Sequence, residues 1–379
     1  MKSLKSIVPI EIQEVVQTLA QKYEVYFVGG CVRDFLLGKD IHDFDCTTNA
    51  TTDEMKDVLS KYKIIETGIK HGTLTIMNND HTVEITTYRI EKEYINHRFP
   101  MHVEFTRNIS EDLKRRDFTI NALACDLDGN IIDEHNGLSD LENKIIRCVG
   151  DPNQRFDEDA LRILRAIRFS CTLDFIIEEN TKQAIFNNLH LLDKISIERK
   201  RDELFKILCS NNPYTIINKF NLLNVYHLSY HTCMKELNHS ISDLMIRVSH
   251  LFSTSKIARK VLNEWHCSKK FINDVCVLVD SRKFDFNDKY VLRKYIYMYG
   301  IELSNKVLHF NKVDLSSFNQ LIESNNIILE LNINGSDLIE LGYIGKEIKS
   351  KLNECLELVL HDPRLNKKEY LMNYLKNNT

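Results

Sequence analysis

The spacing of apolar and polar residues changes along the chain, and each change marks an element. Pro9 to Lys22 repeats its apolar positions at a helical interval, which predicts an amphipathic helix. Val25 to Val28 is a short apolar run with β-branched residues, suited to a buried strand. Gly29-Gly30 breaks that run, and Val32 to Leu37 predicts a short helix stopped by Gly38. Thr52 to Ser60 predicts a second helix, capped by Thr51 or Thr52. Gly72 to Arg89 predicts a hairpin. Leu74, Ile76, Val83 and Ile85 alternate around the turn Asn78-Asn79-Asp80, and Thr82, Glu84 and Thr86 share the other face. Glu91 to His102 lacks periodicity and reads as a mobile loop, of the kind that is often functional in a compact domain. Val103 to Phe105 resumes a strand. Further on, Ile131-Ile132-Asp133 and Ile145 to Val149 read as strands, with a turn at Gly137 and Asp140 between them.

Glycine use then divides the chain. Eight of the twelve glycines lie in residues 1–150 and none lies between 151 and 299, so strand-rich, turn-rich structure gives way to helix near Gly150-Asp151-Pro152. In the helical segment 151–169, Ala160, Ile163, Leu164 and Ile167 form the buried stripe. Ser196 to Leu208 predicts another helix, with Ser196 as its cap, Glu198 in its first turn and a basic run Arg199-Lys200-Arg201. Residues 211–310 are helical, periodic and chemically quiet, and Trp265 reads as core. The C-terminal Arg364, Lys367, Lys368 and Lys376 make a mildly basic stretch. It is either a solvated tail or a contact to a phosphate backbone.

Length and composition narrow the class. The 379 residues suffice for two to three domains. A net charge of −4 supplies no overall basic field, so any RNA must be held by local patches. Ten scattered cysteines without a C-x-x-C suggest neither a zinc site nor a disulfide frame, and reduced thiols suit a cytoplasmic protein. No apolar run is long enough to span a membrane, and the start Met-Lys-Ser-Leu-Lys-Ser-Ile-Val-Pro has no signal-peptide core.

The candidate chemistry begins at the Gly29-Gly30 break. Amide groups at a helix start attract phosphate, and Arg33 adds a charged fork. Asp43 and Asp45 follow two residues apart, hence on one face of a strand, as an Mg²⁺-triphosphate requires. A Gly-Gly alone is usually a turn and an Asp-x-Asp alone a solvated loop. Strand, Gly-Gly, helix and Asp-x-Asp in that order favour a nucleotide. Glu84 is either a third carboxylate facing Asp43 and Asp45 or a surface strand glutamate. In residues 111–124, Arg116, Asp117 and Asn121 suit phosphate and ribose, against the bland reading of a salt-bridged helix start. Asp159, Arg162, Arg165 and Arg168 recur every three residues, which on most helices is only a solvated face.

Taken in order, these residues resemble the class II tRNA nucleotidyltransferases, the CCA-adding enzymes, within the polymerase β-like nucleotidyltransferases. Gly29-Gly30-x-x-Arg33-Asp34 with Asp43-x-Asp45 resembles the first motif of that family. Arg115-Arg116-Asp117-Phe118-Thr119-x-Asn121-Ala122 resembles the second, and Asp133 with Gly137 and Asp140 the third. Glu158-Asp159-x-x-Arg162 resembles the fourth, and Glu198-Arg199 to Glu203 the fifth. The resemblance covers residues 24 to about 208, and beyond that only a helical character matches.

The resemblance implies an α+β fold: an N-terminal nucleotidyltransferase head with a small mixed sheet over 1–150, then an all-α neck over 151–210, body over 211–310 and tail over 311–379. It implies that Asp43 and Asp45 bind Mg²⁺, that Gly29, Gly30 and Arg33 hold the triphosphate, and that Arg116, Asp117 and Asn121 meet phosphate or ribose. Asp159 and Arg162 would pair with the base of CTP or ATP, with Arg165 and Arg168 further out. Body and tail would grip the acceptor arm of tRNA at its 3′ end. No obligate protein partner is implied. His361-Asp362 lacks the further His and Asp of a metal phosphohydrolase.

Three rival readings share parts of this pattern. A relative adding only CC, only A or a poly(A) tail is the nearest rival, and in the family CC-only enzymes tend to have the 91–102 segment shortened or altered. Its length here is full, while His97-Arg98-Phe99-Pro100 only partly matches the Arg-Arg-Pro run of the family. A catalytically inactive RNA-binding relative is opposed by the intact Asp43 and Asp45. A protein-modifying nucleotidyltransferase would lack the Asp159/Arg162 pair.

Overall fold

Helix α1 (Ile10–Ala20) starts directly after Pro9 and turns Ile12, Val15, Val16 and Leu19 inward. The computed structural model describes residues 3–41, 43–95, 99–324 and 326–377. Strand β1 (Val25–Val28) follows, then α2 (Gly30–Leu36) and β2 (Asp45–Thr48). Thr51, not Thr52, caps α3 (Thr52–Val58), and Glu54 closes a capping box with it. Next come β3 (Lys63–Gly68), β4 (Thr73–Asn78) and β5 (His81–Thr87). The predicted hairpin forms, with Leu74 opposite Ile85 and Ile76 opposite Val83.

The segment read as a loop is a second hairpin. Strands β6 (Arg89–Ile95) and β7 (Phe99–Phe105) pair antiparallel from Arg89↔Phe105 to Ile95↔Phe99. Its tip, with His97 and Arg98, lies outside the described residues. This ribbon forms a two-stranded sheet of its own. Backbone ladder bonds define it, and these do not require an alternating sequence.

After α4 (Ile109–Lys114) come β8 (Leu123–Cys125), β9 (Ile131–Asp133) and α5 (Gly137–Glu142). The main sheet has the order β3-β4-β5-β2-β1-β8-β9. Only β2 and β5 run parallel, so the sheet is mixed. The stretch expected as a final strand of this sheet is β10 (Ile145–Ile146), which leaves it to pair with β11 (Ile176–Ile177).

Between β10 and β11 lie α6 (Pro152–Glu158) and α7 (Leu161–Leu173); α8 (Glu179–Asn188) and α9 (Ile197–Leu208) follow β11. The expected stripe is real, since Ala160, Ile163, Leu164 and Ile167 are fully buried. The helix carrying it is not continuous. Asp159 is extended (φ −139°, ψ 101°), so 152–158 and 161–173 are separate helices. The Asp159 carboxylate accepts the Leu161 N–H at 3.1 Å, the local bond by which aspartate competes with helix.

The remainder is helical: α10 (Pro213–Lys219), α11 (Leu222–Val225), α12 (Leu244–Ser249), α13 (Ser255–Glu264), α14 (Lys269–Ser281), α15 (Lys289–Phe310), α16 (Ser316–Glu323), α17 (Gly335–Glu340), α18 (Lys346–His361) and α19 (Lys368–Asn377). The chain packs as two units, one ending at Ser229 and one beginning at Tyr230. In the second, Ile246, Leu278, Ile296, Val307 and Phe318 form one core and Leu338, Cys355, Val359, Leu371 and Leu375 another. Trp265 is buried, as its reading as core required. Among the described residues no helix is long and apolar enough to cross a membrane.

Candidate active site

The junction of β1 and α2 is built on a backbone that glycine accepts. Gly29 sits at φ 73°, and a Cβ there would stand 3.4 Å from the Arg116 guanidinium. From α2, Arg33 grips Asp34 through two bonds of 2.9 and 2.8 Å and donates to Asn121 Oδ1 at 3.0 Å. Asn121 in turn donates to Asp117 Oδ1 at 3.1 Å, and Asp117 Oδ2 takes two bonds from Arg165, at 2.8 and 2.6 Å. Burial would raise the Asp117 carboxyl, but Arg165, Asn121 and Arg162 hold it down at about 2. A buried relay thus joins α2 to α7 and keeps Asp117 ionised.

These side chains line one cleft of about 460 Å³, with Gly29, Gly30, Arg33, Asp45, Arg116, Asp117, Asn121, Asp159, Arg162, Arg165 and Arg168 all in its wall. Arg115 and Phe169 complete it. Six arginines against three aspartates make this a local basic patch in a chain whose net charge is negative. Phe169 is the platform beneath them, with the guanidinium carbons of Arg168, Arg33 and Arg165 at 4.0, 5.0 and 5.4 Å from its ring centre. On sequence it is indistinguishable from an ordinary helix-face apolar residue.

Asp43 and Glu84 lie outside this lining. Register nonetheless puts Glu84 directly opposite Asp45 on the parallel β2–β5 pair, hence on the same face. Desolvation raises the Asp45 carboxyl above its usual range. The negative charges of Glu84 and Asp43 raise it further, and Arg116 opposes them. Three carboxylates that repel one another make a place for a cation. Among the described residues, no group of three or more His, Cys, Asp or Glu side chains forms a ready-made metal cage. One or two carboxylates completed by substrate phosphates is the usual setting for Mg²⁺, so the residues fit it.

The base-reading candidates occupy the other wall. Asp159 and Arg162 both line the cleft, but they are not bonded to each other in the way an uninterrupted helix suggests. Asp159 Oδ2 accepts from Arg199 of α9 at 3.0 Å, while Arg162 pairs with Glu158 at 2.6 Å. Arg162 also donates to the carbonyls of Arg155 and Arg115, each at 3.1 Å. Arg168 is engaged by Glu203 at 2.6 Å. The fourth and fifth motifs therefore meet where Asp159 pairs with Arg199, and Arg168 of α7 pairs with Glu203 of α9. The third lies beneath the cleft. Asp133 caps α5 through Gly137 and Leu138, and Asp140 accepts from Thr119 at 2.7 Å, bracing the turn before Asn121. Gly137 is required there, since a Cβ would fall 2.3 Å from the Thr119 carbonyl oxygen. Asp112 was not singled out by sequence, and Arg199 was named only within a basic run and the fifth motif. Asp112 stands three and four residues before Arg115 and Arg116, a spacing that signals a helical ion pair.

Three stretches of the chain match known protein families. Residues 25–147 match the poly A polymerase head domain, 174–226 the RNA- and SrmB-binding site of polymerase A, and 238–375 the tRNA nucleotidyltransferase domain 2. A CCA-adding enzyme of Streptococcus agalactiae is 34% identical over 397 residues, covering 97% of both chains. The chain belongs to the CCA-adding enzyme family. A CCA-adding enzyme of Lactobacillus helveticus is 54% identical over 199 residues, 52% of this chain and 49% of that one. The chain thus spans about half the length of such Lactobacillus relatives. The crystal structure of the Bacillus stearothermophilus CCA-adding enzyme in complex with CTP superposes with a TM-score of 0.84 at 28% identity, over 100% of this chain and 98% of that one. The α+β class with a small mixed sheet and a helical remainder is the fold of that CCA-adding enzyme.

Proposed function

We propose that this member of the CCA-adding family adds CCA to the 3′ end of tRNA without a template, taking CMP and AMP from CTP and ATP and releasing pyrophosphate. One observation carries the reading. A single cleft holds a glycine-and-arginine phosphate cradle, Asp45 and the Asp159/Arg162 pair. Side chains alone face the place of the incoming base, so no template strand is needed. The relatives named CCA-adding enzymes favour the complete CCA product over CC, A or poly(A) addition.

Gly29, Gly30, Arg33 and Arg116 receive the triphosphate, their donors fixed before it arrives. Asn121 and Asp117 stand where a ribose would lie. Asp159 accepts and Arg162 donates along the edge of the base, with Arg165 and Arg168 further out. Asp43 and Asp45, with Glu84 beside them, would hold Mg²⁺, which supplies activation of the attacking 3′-hydroxyl and neutralisation of the leaving pyrophosphate. Helices of the body and tail take the acceptor arm of tRNA. Cysteines scattered without a paired spacing support a cytoplasmic setting for this reading.

The test offers purified protein tRNA transcripts ending at the discriminator base, C or CC, with each nucleotide supplied separately and products read on a sequencing gel. Stepwise growth to CCA is expected, stopping there. A product ending at CC, or an unlimited A tail, would replace the reading with a rival. Asp43→Asn and Asp45→Asn are each expected to abolish transfer while tRNA binding stays nearly intact. Glu84→Gln is expected to lose less.

A further inference from the structure

Asp112 is a carboxylate with no exposed surface, set in the first turn of α4 and taking no part in the reading above. Five donors converge on it. Arg115 reaches Oδ1 through Nε at 3.0 Å and Nη2 at 2.7 Å, joined by the Arg89 backbone N–H at 3.4 Å. Arg116 Nη2 reaches Oδ2 at 3.0 Å, and the Thr47 hydroxyl donates to the same oxygen at 3.3 Å. Desolvation alone would raise this carboxyl, but the two guanidiniums bring it below its ordinary value.

Two of these partners, Arg115 and Arg116, line the cleft, and the others come from β2 and from the first residue of β6. Thr47 lies on β2, two residues after Asp45, and so on the same face as that carboxylate. Arg116 extends from Asp112 to the edge of the phosphate cradle, where its Nη1 lies 3.4 Å from where a Cβ on Gly29 would sit. Its Nε is buried and has no hydrogen-bond partner among the described residues. A buried donor left open beside the cradle is a donor kept for a ligand. The Arg115 carbonyl accepts Arg162 Nη2 at 3.1 Å, so the same turn also steadies the base-reading arginine.

Two adjacent guanidiniums in a partly desolvated wall repel one another. A buried counter-charge lets them stand side by side in one fixed orientation. We propose that Asp112 is a positioning residue for nucleotide transfer: it holds Arg116, and with it Arg115, in the orientation that receives the triphosphate. The proposal rests on the assignment of this cleft to CTP and ATP. Asp112 touches no substrate and acts through the arginines.

The experiment is a double-mutant cycle. Asp112→Asn, Arg116→Gln and the double variant are compared in the full chain, varying CTP on tRNA ending at C, ATP on tRNA ending at CC, and then each tRNA. Asp112→Asn is expected to lower kcat/KM for both nucleotides about 10²-fold, the scale set by a misplacement of roughly 1 Å. The loss should be equal for CTP and ATP, with the KM for tRNA unchanged, and the double variant should be no worse than Arg116→Gln alone. Losses that multiply in the double variant overturn the proposal, because Asp112 would not then act through Arg116. So does Asp112→Asn with wild-type nucleotide kinetics. If Arg116→Gln itself leaves nucleotide kinetics untouched, the triphosphate assignment falls, and the proposal with it. Should Asp112→Asn not fold, Arg116→Lys decides. It keeps the charge, but one ammonium cannot both hold Asp112 and offer the donor that Nε presents. A loss of about tenfold or more is expected, in line with one charge-assisted bond, and wild-type kinetics would overturn the proposal.

Discussion

Asp45 shows how one side chain is set against its own fold. Its carboxyl titrates above the usual range, first from desolvation and then from Glu84 and Asp43, against the pull of Arg116. The sign follows from linkage. The unfolded chain ionises Asp45 more readily than the folded one, so the ionised carboxylate destabilises the fold once pH rises above its raised pKa. Asp45→Asn is therefore expected to melt slightly higher than wild type at pH 7.5 in EDTA. The gap should close as pH falls through the raised pKa. Added Mg²⁺ should stabilise wild type and not the variant. A lower Tm for Asp45→Asn in EDTA would show that Arg116, and not carboxylate repulsion, dominates there. A second residue-scale prediction concerns Asp159 and Arg162. Cytosine and adenine each present an exocyclic amine beside an accepting ring nitrogen; uracil and guanine present a carbonyl beside a ring N–H. A carboxylate next to a guanidinium fits the first order and meets its own kind in the second. Such a bidentate pair discriminates by about 1–3 kcal/mol. Asp159→Ala and Arg162→Ala should each slow C and A incorporation and raise the relative acceptance of UTP or GTP, measured with all four triphosphates at each step. Slower rates with unchanged selectivity would make the pair a structural one, tied to Arg199 and Glu158 as found here.

At the scale of elements, two departures from the sequence reading bear on function. The break at Asp159 separates α6 from α7 and turns a helical series into a cap residue followed by three arginines on one helix. The carboxylate is thereby held by the Leu161 N–H and Arg199, fixed before a base arrives. The second departure is the β6–β7 hairpin. It stands apart from the main sheet, yet its Arg89 and Glu91 reach the turn that carries Arg115, with Glu91 to Arg115 at 3.3 Å. Through Glu91 the hairpin is joined to the arginine turn. Deleting the outer part of residues 91–102 is expected to spare CC addition and depress the final A, read on the same transcripts. Equal loss of both steps would make the hairpin a scaffold for Arg115, and unchanged activity would make it a connector.

For the molecule as a whole, sequence determined what depends on near neighbours. The Val25–Val28 strand, the Gly29 turn, the capped helix at Thr51, the first hairpin and the buried stripe of α7 are each set by residues within a few positions of one another. The motifs also picked out thirteen candidates, and eleven of them line one cleft, with Asp43 and Glu84 outside its lining. Sequence also gave the shift from a mixed sheet to helices, because glycine vanishes where turns do. Tertiary structure decided what depends on distant partners. That Glu84 faces Asp45 follows from a parallel pairing across a crossover, which no local pattern encodes. That Asp117 is occupied by Arg165 and Asn121, Asp159 by Arg199, and both Arg115 and Arg116 by Asp112 depends on burial. A charged side chain taken out of water must find a partner, and the partner is whichever opposite charge the fold brings within reach, 3 residues away for Asp112 and Arg115 or 48 for Arg165 and Asp117. Sequence thus named most of the groups that line one cleft, and packing alone chose the groups that hold them in place.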